Sequence, residues 1–120
     1  MFVNVSNHPS EKWGAAQCSA ALCYGEIVDI PFPNIAPKAT TFDINMLVEQ
    51  YVNKIKALNA PVVVMVQGEF TFTYRLVYCL KAYNITVVSA CSERKTIETV
   101  DANGVTNKKS EFVFVQFREY

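Results

Sequence analysis

The sequence is poor in histidine, with one, and in glycine, with four; its 11 basic side chains are matched by 11 acidic ones. Each shortage removes a class of function. A formal net charge of zero leaves no unbalanced basic face for a track along duplex DNA or RNA, which takes several uncompensated Lys or Arg side chains. A small anion in a local pocket remains compatible with that balance. The longest apolar run, Pro61–Val66, falls far short of the about 18–20 residues that cross a bilayer, so no membrane partner is expected. Met-Phe-Val-Asn-Val-Ser at the start has neither a basic n-region nor a cleavage segment, which predicts a cytoplasmic protein. Cys18, Cys23, Cys79 and Cys91 are irregularly spaced and include no Cys-x-x-Cys pair. With His8 they make no recognisable zinc set, and a cytosolic setting keeps thiols reduced, so neither metal nor disulfide is expected. No Walker loop or Gly-x-Gly-x-x-Gly fingerprint is present, so no cofactor is indicated. A chain of 120 residues suits one domain over 1–120, because two would each sit near the about 60-residue limit where burial becomes marginal.

What is present alternates between two periods. Phe2–Ser6 reads as a strand ending in the polar turn Asn7-His8-Pro9-Ser10. Ser10 is placed to cap a helix over Glu11–Tyr24, with Glu11 at its positive end and Gly25 as its stop. Ala15, Ala16, Cys18, Ala20 and Ala21 keep that helix slim enough to lie close on a sheet. Glu26–Ile30 predicts a second strand closed by Pro31 and Pro33; the stretch from Pro31 to Thr41 has no helical period and is long for a loop, which suggests a lid. Ile44, Leu47, Val48, Tyr51, Val52, Ile55 and Leu58 recur at three- and four-residue steps, predicting a helix capped by Thr41 or Asp43. The β-branched run Val62–Val66 suits a central parallel strand buried on both faces. A third helix after Gln67-Gly68-Glu69 turns Phe72, Thr73, Leu76, Val77 and Leu80 inward, and Ile85–Ala90 predicts a fourth strand. Thr96–Val100 and Phe112–Phe117 flank Asp101-Ala102-Asn103-Gly104, a hairpin signal.

Strand-helix alternation followed by a hairpin predicts an α/β, Rossmann-like fold. Its mostly parallel sheet has strand order about 2-1-3-4, helices on both faces and a C-terminal β-hairpin at or beyond the far edge. Ligands in such sheets bind outside the carboxyl ends of the strands where the order reverses, here between strands one and three. That edge gathers Ser6, Asn7, His8 and Ser10 with Lys12 and Trp13, then Gln67, Gly68, Glu69 and Thr71, then Cys91, Ser92, Glu93 and Arg94. Hydroxyl and amide groups beside exposed helix N–H groups suit phosphate oxygens, and Gly68 admits a close approach to the backbone. Each residue also has a plainer reading. Ser6, Asn7 and Ser10 can simply turn and cap the chain, His8 can be an exposed loop residue and Gly68 a turn glycine. Arg94 can pair with Glu93 or Glu69 at the surface, Trp13 can pack on the Ala-rich helix, and Cys91 lacks a nearby second histidine to activate it.

On Ser6-Asn7-His8-Pro9-Ser10 with Trp13 and Gln17, Tyr24–Asn34, Val66-Gln67-Gly68-Glu69-Phe70-Thr71 and Ser92-Glu93-Arg94, the chain resembles the CRISPR-associated Rossmann-fold (CARF) proteins, and more narrowly their small standalone members grouped with the ring nucleases. The resemblance spans nearly the whole chain, with Gly68-Glu69 where many CARF domains carry a glycine pair. It implies a homodimer binding a cyclic oligoadenylate, the second messenger of type III CRISPR antiviral defence, at its two-fold axis, through the loops after strand one and before helix three. It also implies a ring nuclease that opens the ring, with cyclic tetra-adenylate as the expected ligand, by metal-independent attack of the ligand's 2′-hydroxyl on its phosphodiester. His8, whose side-chain type ordinarily titrates near neutrality, then serves as acid or base, with the cations Lys12 and Arg94 spreading the developing charge. Ser6, Asn7, Ser10, Trp13, Gln67, Gly68, Glu69, Thr71, Ser92 and Glu93 are the expected ligand-binding residues. Two other functions fit the same residues: a non-catalytic sensor or sponge for the ring, and a small-molecule hydrolase using Cys91 or Ser92.

Overall fold

The computed structural model describes residues 1–120. In chain order they form β1 (Phe2–Ser6), a 3-10 turn (Ser10–Lys12), α1 (Ala15–Leu22), β2 (Ile27–Asp29), α2 (Thr41–Lys56), β3 (Val63–Gln67), α3 (Phe70–Ala82), β4 (Thr86–Val100) and β5 (Thr106–Glu119). One five-stranded sheet results, in the order β2-β1-β3-β4-β5. The pairings β1 with β2, β1 with β3 and β3 with β4 are parallel; β4 with β5 is antiparallel. The architecture is α/β with a mixed sheet. No helix is long and apolar enough to cross a membrane.

Side chains alternate across each strand and so sort into two core layers. Val3, Val5, Val64, Val66 and Val87 point to one face, where α2 brings Ile44, Val48, Tyr51, Val52 and Ile55 and α3 brings Phe72, Leu76, Val77 and Leu80. Phe2, Met65 and Val88 point to the other face, against Ala21 of α1, with Trp13 and Phe117 at the rim. Every residue of β1 is buried, as a strand covered on both faces requires. Three of the four apolar residues placed inward on helix three are fully covered at 0% exposure, and Val77 is nearly so at 8%.

Several boundaries differ from the sequence expectation, each for a local reason. Glu11–Tyr24 is not one helix. Gly14 is extended (φ −71°, ψ 164°) and is the N-cap of α1, so Ser10 begins a separate 3-10 turn and caps nothing with its side chain. The second strand is trimmed from Glu26–Ile30 to Ile27–Asp29. Thr40, not Thr41 or Asp43, caps α2: its hydroxyl accepts from the Asp43 N–H at 3.1 Å, and its own N–H donates to the Asp43 carboxylate at 2.9 Å. The Pro31–Thr41 segment is packed down rather than poised as a lid. Ile30, Phe32, Ile35 and Ala39 rest on the core, and the Tyr51 hydroxyl donates to the Pro31 carbonyl at 2.6 Å.

The largest difference lies in the tail. Fourth strand and hairpin are one object: β4 runs unbroken past Ala90 to Val100, and β5 returns beside it from Thr106, with a bulge opposite Cys91/Ser92. β4 pairs with β3 only from Thr86 to Val88. Beyond the bulge, Ser92–Val100 and Thr106–Phe114 form a two-stranded arm, giving the molecule its 57 Å long dimension. The Asp101 carboxylate closes the tip by accepting from the N–H groups of Asn103 and Val105, and Gly104 supplies the positive φ of 76°. Val64 is fully buried at the centre of this sheet. A Val64→Asp substitution strands an unpaired carboxylate there and should cost about 4 kcal/mol or more; chemical denaturation followed by circular dichroism will read this as loss of the native baseline.

Candidate functional site

The site is built on a buried amide. Asn4, in the middle of β1, is 1% exposed, and an amide left unpaired at such a position is costly. Its Nδ2 donates to Asp29 Oδ1 at 2.8 Å and to the His8 carbonyl at 2.9 Å, while its Oδ1 accepts the Ser6 hydroxyl at 2.7 Å. Ser6 Oγ in turn accepts the His8 N–H at 3.2 Å. The Trp13 indole N–H donates to the same His8 carbonyl at 3.1 Å, and the ring stands edge-on to Phe2, centroids 6.2 Å apart. Asp29 ties down the next residues, accepting the Ser10 hydroxyl at 2.8 Å and the Ser10 N–H at 3.2 Å. The backbone of His8 is therefore held at both its N–H and its carbonyl, while the residue itself is exposed. Neither Asn4 nor Asp29 is among the catalytic or ligand-binding residues expected from the sequence. Their signal was a polar residue at an inward position of an otherwise apolar strand, and a carboxylate at the end of the next one.

Beside this loop the sheet splits. β3 and β4 separate after Met65 and Val88, and Gln67 fills the widening gap with its side chain: Oε1 accepts the Ala90 N–H at 2.8 Å and Nε2 donates to the Ala90 carbonyl at 3.4 Å. A side-chain amide thus stands in for the missing backbone partner. On the other side of the gap the Tyr120 hydroxyl donates to the Val66 carbonyl at 2.6 Å. Burial raises the Tyr120 phenol above its ordinary pKa, and an electrostatic contribution from Cys91 adds to the effect.

The split opens a cleft of about 770 Å³ at the carboxyl edge, of the size that small-molecule sites occupy. Ser6, Asn7, His8, Lys12 and Trp13 line one wall, Gln67 and Gly68 the floor, and Ser92 with Phe112–Phe114 the wall formed by the base of the arm; Gln17 closes the side. Eight of the thirteen expected catalytic and ligand-binding residues converge here. A second depression of about 600 Å³, lined by Lys56, Asn59 and Tyr83, lies at the opposite, amino edge and holds none of them.

Five others lie elsewhere. Ser10 is tied to Asp29. Glu69 is the N-cap of α3, its carboxylate accepting from the Phe72 N–H at 2.8 Å, the Thr71 N–H at 3.0 Å and the Thr71 hydroxyl at 2.7 Å. Glu69 and Thr71 thus satisfy each other. Glu93 and Arg94 stand on the arm, where the Arg94 guanidinium donates to Ser110 Oγ at 3.2 Å; no ion pair joins it to Glu93 or Glu69. Gly68 has a packing reason to be glycine, since a Cβ there would meet the Phe32 ring at 2.4 Å. All four cysteines are free thiols. No three His, Cys, Asp or Glu residues gather closely enough to hold a metal ion.

Two predictions follow from these bonds. Asp29→Ala removes one partner of the buried Asn4 amide and both anchors of Ser10, and should cost about 1–3 kcal/mol in urea unfolding. The Phe72 N–H, followed by the Thr71 hydroxyl, holds the Glu69 carboxyl below the usual carboxylate range. Because the folded value is the lower one, the cap stabilises the fold above the unfolded carboxyl's titration and is lost as pH falls through the folded value. The stability advantage of the native chain over Glu69→Gln should therefore be present at neutral pH and fade below about pH 4, as thermal melts across pH will measure.

Residues 1–118 match the model of a family described as "Uncharacterized protein MJ1673 family". No curated protein and no solved structure matches the chain.

Proposed function

We propose, for a chain that belongs to the MJ1673 family, that it binds a cyclic oligoadenylate in the cleft beside His8 and opens the ring without metal. The description of the family carries no activity, so the reading rests on the site and on the likeness to CARF proteins and ring nucleases. The observation that carries it is the convergence of His8, Lys12, Ser6, Asn7, Trp13 and Gln67 on one cleft at the carboxyl edge of β1 and β3, where the strand order reverses. We read the sheet, accordingly, as a Rossmann-like one with an antiparallel extension.

Each group has work suited to its chemistry. The Lys12 ammonium offsets phosphate charge, the Trp13 face is available to a base, and the hydroxyl and amides of Ser92, Asn7 and Gln67 reach the remaining oxygens. In the reaction the His8 imidazole removes the proton of a ribose 2′-hydroxyl; the 2′-oxygen attacks the adjacent phosphorus and the 5′-oxygen leaves, taking up a proton. The products are a 2′,3′-cyclic phosphate and a free 5′-hydroxyl. The clamped backbone at His8 holds the base in place, and alignment of this kind contributes several kcal/mol. A homodimer would present two such histidines to a two-fold ring, one for each cut. Arg94, bonded to Ser110 on the arm, has no part in this version of the mechanism.

Incubation of the purified chain with cyclic tetra-adenylate in EDTA, with products separated by chromatography, tests the proposal. Linear products are expected, and His8→Ala should slow their formation about 100-fold or more while leaving binding in place. A ring that stays intact eliminates the ring-opening activity. Tight binding without turnover, unchanged by His8→Ala, selects the sequestering function instead.

A further inference from the structure

The two edges of the sheet are finished differently. β2, at one edge, is three residues long and is followed by Pro31 and Pro33, which lack a donor. Short strands and prolines are how native proteins close an edge to intruders. β5, at the other edge, is 14 residues long without proline or glycine; Lys108, Lys109 and the bulge at Val115 are its guards, and they leave Phe112 and Val115 76% and 57% exposed. The arm adds a second anomaly. From Ser92 to Val100 and from Thr106 to Phe114 its strands pair only with each other, and two-stranded ribbons are at best marginally stable in water without a third strand or a covering layer. A third anomaly lies on α3, where Phe70, Tyr74 and Tyr78 form an exposed aromatic stripe, with Phe70 89% exposed. Lys81, on the same side of the helix as that stripe, donates to the Tyr120 carbonyl at 2.8 Å. The stripe therefore runs along the β5 side of α3.

We propose that one occupant accounts for all three: a second copy of this chain, its β5 pairing antiparallel with this β5 about a two-fold axis near Phe114, so that two five-stranded sheets become one. Charge selects the register. The bulge leaves Val115 outside the ladder, since Cys91 pairs with Gln116 and Ser92 with Phe114. Matching the sheet faces around it then sets Glu111 opposite Arg118 of the second copy and Phe112 opposite its Phe117. No like charges meet. A shift of two residues toward the arm tip sets Lys109 against Arg118, a repulsive pair. The arm of each copy gains the body of the other as its third strand. The Phe70 ends of the two aromatic stripes approach the seam on one side of the sheet. On the other side the two clefts, each walled by Phe112–Phe114, meet across the axis.

This pairing needs no ligand and stands whether or not the cleft takes a cyclic nucleotide, so it is tested without one. Light scattering and sedimentation equilibrium of the full chain should give twice the 13.5 kDa chain mass. Val115→Lys sets two ammonium groups beside the axis. Arg118→Glu or Glu111→Arg alone sets like charges across it; each of the three variants should weaken the dimer about tenfold or more. The double variant Glu111→Arg/Arg118→Glu should restore it. Val115 and Arg118 are exposed, while Glu111 is half-buried and paired with Lys109 of its own chain at 3.7 Å, so melting curves of every variant accompany the measurement. A monomer at high micromolar concentration overturns the proposal, as does a dimer indifferent to Val115→Lys. Loss of the dimer in both single charge variants without recovery in the double overturns the register. A stable dimer that binds no cyclic nucleotide leaves this inference intact and removes only the ligand.

Discussion

The architecture turns on a separation: β4 leaves β3 after three paired residues, and the Gln67 amide, bonded twice to Ala90, keeps the separation from becoming a rupture. Had the two strands stayed paired to their ends, the carboxyl edge would carry no opening for a ligand. With the amide in place, the backbone polar groups of Ala90 are satisfied, and β4 is free to turn toward solvent with β5. The Tyr120 hydroxyl performs the matching service for the Val66 carbonyl. Cleft, arm and exposed sheet edge are three results of the same divergence.

A second polar assembly works with the first. Asn4, Asp29 and Ser6 fix the backbone of His8 from below, so the loop opposite Gln67 is held by hydrogen bonds rather than by apolar contact. The Asn4 amide is fully buried and fully partnered, a condition under which polar groups specify one arrangement of a loop instead of several. Polar residues thus shape the opening between two layers that valine, leucine and phenylalanine hold together.

Much of this was legible in the order of residues. The period of Ile44 through Leu58 marked α2, the unbroken Val62–Val66 marked the strand beneath the cleft, and the polar clusters after β1 and β3 fell on one edge as their topology required. What escaped was local competition. Gly14 broke a helix that alanines favour, because an extended residue at that point lets the Ser10–Lys12 turn reach Asp29. Glu69 and Thr71 read as ligand contacts but are consumed by each other, which no spacing rule reveals. Gly68 lies on the cleft floor, as expected, but its bare Cα also makes room for Phe32, a packing demand that the sequence does not reveal. The hairpin itself is legible in its Asp101–Gly104 turn, but its continuity with the fourth strand is not, because Ser92–Lys95 carries no apolar alternation of its own and only pairing with β5 carries the strand past Ala90.

The packing of Phe2 against Phe117, centroids 4.8 Å apart, sets the tempo of assembly. The β3-α3-β4 unit is contiguous and can collapse early, but the layer around Phe2 closes only when opposite ends of the described chain meet. Long loop closures of this kind slow folding more than they weaken the final state. Contacts of such long sequence separation belong late in folding, after the local pairings of β3, α3 and β4.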